Sequence, residues 1–284
     1  MTEPTAAPVT AAERIDLLDG LRGFALFGIL LANILYWSGW LFLPHDRAIA
    51  ISGETQFVVE AFLHKLLIDG KFYTIFSLLF GLGFALQLSR LEKRGADGVR
   101  IYRRRLLVLL GFGLIHLVLI WDGDILTLYA LLGFLLPFFR NWSERRTLVA
   151  VAILLLLPLP GAWLFHALGW TPHLFFYGLG DRIAAGMIGP PGPEVDWLAR
   201  RDWQAHLAWL MGGWPYRIGG LIESWRVPKV LGIMLLGAML GRRLVAGRLF
   251  EDRRLMRRTL FWGLLIGLPA SLAYALAEKA GQDS

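Results

Sequence analysis

A handful of polar and ionisable side chains interrupt the apolar stretches of this sequence: Arg22, Asn33, His116, and the pair Asp122 and Asp124, with His45 just beyond the first apolar stretch. Groups of this kind are costly inside a bilayer, so each is a candidate for function. Arg22 and Asn33 are eleven residues apart. On a helix that is about three turns and ~16 Å, which places both on one face. A guanidinium there can hold an anionic group or snorkel to the headgroups, and an amide can orient a carbonyl or bond a neighbouring helix. His116 precedes Asp122-Gly123-Asp124 closely enough for an imidazole and two carboxylates to share one space, where pKa values shift and proton chemistry becomes possible. Glu60, His64 and Lys71 are spaced to form one helical stripe. No cluster with metal-ligand spacing is read.

The elements that must position these groups follow from composition. Of 284 residues 56% are apolar and 18% charged, and the apolar residues come in blocks of 15 to 25 separated by arginine-rich gaps. Such blocks predict an all-α polytopic transmembrane bundle, after a disordered tail over 1–12. Seven spans are expected, at about 21–43, 72–88, 106–121, 125–139, 148–168, 230–245 and 260–277. The first is too long for a signal-peptide core and lacks a cleavage site, so it reads as retained. Residues 13–284 then read as a single transmembrane domain.

Loop charge sets the orientation. Arg90 to Arg105 and Arg242 to Arg258 each carry seven basic residues, and Arg140, Arg145 and Arg146 follow span four, whereas Asp122-Gly123-Asp124 carries none. Short basic loops face the cytoplasm. The N-terminus is therefore expected inside and the acidic turn outside. Span three has only 16 residues, a rise of ~24 Å against a hydrocarbon core of ~30 Å, so the turn is expected to be recessed. Residues 55–69 read either as an interfacial helix or as the opening turns of the helix through Phe72. The gap at 169–229 holds six of the twelve tryptophans, among them Trp197 and Trp203, and reads as an external interfacial segment.

The net charge of +7 is explained by these loops, and nucleic acid is not expected as a partner. With no cysteine, disulfides and cysteine nucleophiles are excluded. P-loop, HExxH and GxSxG motifs are absent, and the GxG pairs from Gly81, Gly111 and Gly178, like Gly263 and Gly267, read as helix-packing sites.

The run from Leu18 to Ile34 (LDGLRGFALFGILLANI), then Gly70-Lys71-Phe72 with Phe76 to Gly81, Arg104-Arg105-Leu106, and His116 to Tyr129 (HLVLIWDGDILTLY), occur in this order. Together they resemble the YeiB-like bacterial membrane proteins, a family carried as a domain of unknown function. The resemblance implies a multi-pass protein of the bacterial cytoplasmic (inner) membrane. Family members continue through further spans, which implies that this chain is a partial member. More distantly the family is similar to transmembrane acyltransferases that use acyl-CoA, where an arginine in the first span is followed eleven residues later by a polar residue, commonly histidine. Arg22 and Asn33 fill those positions. Asparagine cannot serve as a base. The lysosomal glucosaminide N-acetyltransferases resemble this chain in having asparagine there, with a histidine about eleven residues later, and His45 follows Asn33 by twelve.

The resemblance implies acyl transfer from a cytoplasmic thioester, with acyl-CoA as co-substrate and no permanently bound cofactor, to an envelope or small-molecule acceptor. Arg22 and Asn33 would engage the donor, and His45 or His116 would be the base, with Asp122 and Asp124 beside the latter. A solute transporter with a proton or cation site at His116 and Asp124, or a non-catalytic subunit, are the alternatives.

Overall fold

Long leucine-rich stretches with few interior glycines or prolines favour helix, and in a bilayer helices satisfy every backbone group internally. In the computed structural model, which describes residues 15–188, 202–247 and 253–282, every regular element among the described residues is helical. The helices are α1 (Asp16–Trp37), α2 (His45–Ser52), α3 (Glu54–Leu67), α4 (Lys71–Lys93), α5 (Gly98–Ile115), α6 (Leu126–Gly133), α7 (Glu144–Leu156), α8 (Pro158–Ala167), α9 (Pro172–Ile188), α10 (Trp203–Glu223), α11 (Arg226–Val245) and α12 (Arg253–Gln282). The tail read at 1–12 and Trp197 lie outside the described residues.

Among the described residues four helical stretches are long and apolar enough to cross a membrane: Asp16–Trp37, Glu54–Lys93, Glu144–Ala167 and Met256–Leu276. Their large side chains are widely exposed, Leu159 and Trp163 at 70% each. An exposed apolar surface of that extent fits a lipid environment. Helices also occupy the third, fourth and sixth expected spans, in α5, α6 and α11.

Several boundaries differ from the sequence reading for local reasons. The first helix stops at Trp37, six residues short of Leu43, because Gly39 adopts a left-handed φ of 75° and a 3-10 turn follows at Trp40–Phe42. Residues 55–89 form two helices, since Gly70 at φ 75° breaks the chain between α3 and α4. The fourth span is only the short α6, and a 3-10 turn at Leu136–Phe139 includes Pro137. Among the described residues of the tryptophan-rich gap, α9 and α10 pack along one another.

The chain divides into two compact units. One combines Ala12–Phe76 with the residues beyond Val245. In it Gly28 of α1 admits the Phe72 ring, which Phe24 meets edge-on at 5.4 Å, and α12 packs on α3, with Tyr274 donating to Asp69 at 2.7 Å.

The other unit is Ser77–Val245. Its core holds Leu79, Phe84, Tyr129, Leu136, Leu210, Met234 and Leu235. Here α4 and α11 approach closely: a Cβ on Gly81 would overlap the Met234 carbonyl, and one on Gly237 the Leu78 carbonyl. Small residues that bring backbones together are a membrane-helix device. Arg242 binds the carbonyls of Phe139, Arg140 and Trp142 at 3.4 to 3.5 Å, fastening the loop before α7 to α11.

Candidate functional site

The candidate site lies in the Ser77–Val245 unit, where α5 gives way to the acidic turn. Beyond Ile115 the helix widens into a π turn over His116–Ile120, and such widenings are frequent at functional sites. Trp121 is extended and buried. Gly123 lets the chain double back beneath the Trp121 indole, which a Cβ at that position would overlap. Gly113 likewise lets α5 meet the start of α6, its nearest neighbour there being Thr127.

Asp124 is only 2% exposed. Its Oδ1 accepts the Leu126 N–H at 3.1 Å and its Oδ2 the Thr127 N–H at 2.8 Å. The carboxylate therefore caps the first turn of α6, where the helix dipole favours negative charge. It also lies 3.1 Å from His116 Nδ1. A carboxylate can only accept, so Nδ1 donates, leaving Nε2 as the lone-pair nitrogen. The His116 side chain is 30% exposed, with the Trp121 ring edge-on at 6.1 Å. The result is an imidazole held in one tautomer by a buried carboxylate, an arrangement suited to accepting a proton at Nε2.

The opposite wall is α10. Gly213 leaves room for Asp122, whose Cβ would come within 2.6 Å of a side chain there. One turn on, Arg217 is attracted by Asp124 and Asp122 and repelled by Arg226, and its Nε is buried with no hydrogen-bond partner among the described residues. Tyr129 is 1% exposed and shares a hydrogen bond of 2.5 Å with the Ser77 hydroxyl, joining α6 to α4. The two carboxylates of the turn thus act on the Arg217 guanidinium. Buried charge is tolerated where opposite charges compensate.

Neither Arg217 nor the Tyr129–Ser77 pair was singled out from the sequence. Tyr129 sits within the His116 to Tyr129 motif and Ser77 within Phe76 to Gly81, but nothing local pairs two residues 52 apart. Arg217 did carry a signal, as the one charged residue between Trp203 and Ile222 in an otherwise apolar and small-residue stretch.

The remaining sequence candidates belong to the other unit. Arg22 pairs with Asp19 at 2.7 Å near the start of α1, with 41% of its side chain exposed. Asn33 is half-buried on α1. His45 is exposed at the start of α2, its ring edge-on to Phe57 at 5.0 Å. Glu60 and His64 lie on α3, while the Lys71 amine donates to the Lys65 carbonyl at 2.6 Å. No group of three His, Asp or Glu among the described residues is placed to hold a metal ion.

The chain is 42% identical over 163 residues to the uncharacterized protein YxaH of Bacillus subtilis strain 168, which covers 54% of this chain and 39% of YxaH. It is 40% identical over 162 residues to the uncharacterized 39.9 kDa protein in amylase 3′ region of Bacillus acidopullulyticus, covering 57% of this chain and 44% of that protein. To the uncharacterized protein YeiB of Escherichia coli strain K12 it is 39% identical over 127 residues, 43% of this chain and 30% of YeiB. These similarities support the YeiB-like resemblance carried by the motifs. The chain spans less than half the length of the curated relatives it matches. No family model matches. No solved structure matches either.

Proposed function

We propose that this is a bacterial inner-membrane acyltransferase of seven spans with its N-terminus in the cytoplasm, moving an acyl group from a cytoplasmic thioester such as acyl-CoA to an acceptor at the outer face. The observation that carries the reading is the His116–Asp124 pair: a partly exposed imidazole whose Nδ1 donates to a buried, backbone-anchored carboxylate. An acceptor hydroxyl or amine would attack the thioester carbonyl as His116 Nε2 removes its proton. The tetrahedral intermediate then collapses, the carbon–sulfur bond breaks, and the thiolate leaves with the proton that His116 carried. Asp124 keeps the ring oriented and compensates the transient imidazolium.

A second reading rests on the charges around the turn. Asp122, Asp124 and Arg226 each act electrostatically on Arg217, and buried ionisable groups of this kind also form proton relays in transporters. Thioester turnover separates the two. Purified protein given acetyl-CoA and a mixed acceptor pool is expected to release free thiol, and His116→Gln is expected to lower that rate by about 10²- to 10⁴-fold, the range for a lost general base. Proton-coupled solute flux in liposomes with no thiol release would overturn acyl transfer.

A further inference from the structure

A cavity lies in the Ser77–Val245 unit, at the opposite end of α5 from His116. It has a volume of about 650 Å³, and its walls include Asp97, Arg100, Arg103, Arg104 and Leu107 from the start of α5, with Phe138 and Arg140 from the segment after α6. Four guanidinium groups face one carboxylate. That carboxylate is already engaged, because Asp97 Oδ1 accepts the Arg100 N–H at 3.0 Å and caps α5. Arg140 reaches Glu92 only at 4.0 Å, and among the described residues Arg100, Arg103 and Arg104 form no ion pair. The cavity therefore has uncompensated positive charge matched to a group with two or more negative charges.

Its apolar side narrows the ligand further. Residues 100, 103, 104 and 107 recur at helical spacing and so share one face of α5, a face that continues through Gly111, Leu114 and Ile115. Leu107 is 59% exposed and Phe138 67%. Gly111 is exposed, and a Cβ there would meet nothing within 4 Å, leaving a shallow notch in the stripe. From Arg104 to Ile115 the helix rises ~16 Å, about the depth of one leaflet's hydrocarbon. A water-soluble polyanion would use the arginines and leave this stripe bare. A phospholipid uses both parts.

We infer that this cavity binds the headgroup of an anionic phospholipid, with one acyl chain laid along the Leu107–Gly111–Ile115 face of α5. The basic loop that supplies the arginines is the one expected at the cytoplasmic leaflet, where anionic lipids are attracted to juxtamembrane arginines. The site is independent of the chemistry proposed at His116.

Native mass spectrometry of the delipidated full chain in neutral detergent tests this with cardiolipin, dioleoyl phosphatidylglycerol, dioleoyl phosphatidylcholine and inorganic pyrophosphate as probes. The anionic lipids are expected to bind at least tenfold more tightly than phosphatidylcholine, and raising the salt is expected to weaken them. Arg100→Gln with Arg104→Gln should bring them to the phosphatidylcholine level, while melting in phosphatidylcholine nanodiscs stays that of wild type. Gly111→Leu, which fills the notch and leaves the charges, should weaken anionic lipids severalfold without altering pyrophosphate binding. Equal binding of anionic and zwitterionic lipids, or an unchanged double variant, would overturn the headgroup assignment. Pyrophosphate displacing the lipid at equal concentration would identify a soluble polyanion instead, and wild-type lipid binding by Gly111→Leu would remove the acyl chain from α5.

Discussion

At the scale of single residues, the sequence left two histidines open as the base, and the structure gives them unlike surroundings. His116 has a buried carboxylate on Nδ1, whereas His45 is exposed against the Phe57 ring. His45→Gln is therefore expected to leave thiol release within about twofold of wild type, because an exposed imidazole without an orienting carboxylate contributes little as a base. A hundredfold loss in a steady-state thiol assay of that variant would transfer the role to His45. The association of His116 with Asp124 was legible because the two are eight residues apart across a turn whose glycine forces a reversal. Arg217 was not, since it reaches the turn only through the folding of α10 back along α9, which no local pattern encodes.

The helices themselves were legible from apolar block length, but the ways they end were not. A π turn cannot be read from periodicity: His116–Ile120 has the composition of an ordinary helix, and its wider winding accompanies the close packing of Gly113 on Thr127 and of Gly213 on Asp122. The glycine pairs read from sequence as packing sites prove unequal. Gly81 packs on the Met234 backbone, whereas Gly111, Gly178, Gly263 and Gly267 have open space where a Cβ would be. On α11, Gly237 presses on Leu78. Gly237→Ala is expected to cost about 1–3 kcal/mol, typical of overpacking between rigid backbones, and to lower the detergent melting temperature by several degrees. Gly178→Ala, in open space, is expected to melt like wild type or slightly higher, since alanine favours helix. Equal melting of the two variants would mean that α4 and α11 are not held by backbone contact.

For the whole molecule, the alternation of basic and non-basic gaps and the exposed apolar surface fit a chain organised by a bilayer, and the proposed chemistry makes that organisation measurable. In the proposed reaction donor and acceptor meet from opposite faces, and His116 and Asp124 act as one unit. The decisive measurement is a double-mutant cycle in sealed, inside-out proteoliposomes, with acetyl-CoA supplied outside and acceptor enclosed. Single and combined His116→Gln and Asp124→Asn variants are compared by thiol release, with insertion and melting checked for each. Groups that work as a unit are strongly non-additive. Wild-type protein is expected to turn over thioester from the cytoplasmic face, each single variant to lose at least about a hundredfold, and the double variant to lose little more than the worse single one. Undiminished turnover in both single variants, or losses that multiply in the double, would contradict the His116–Asp124 pair as the catalytic base.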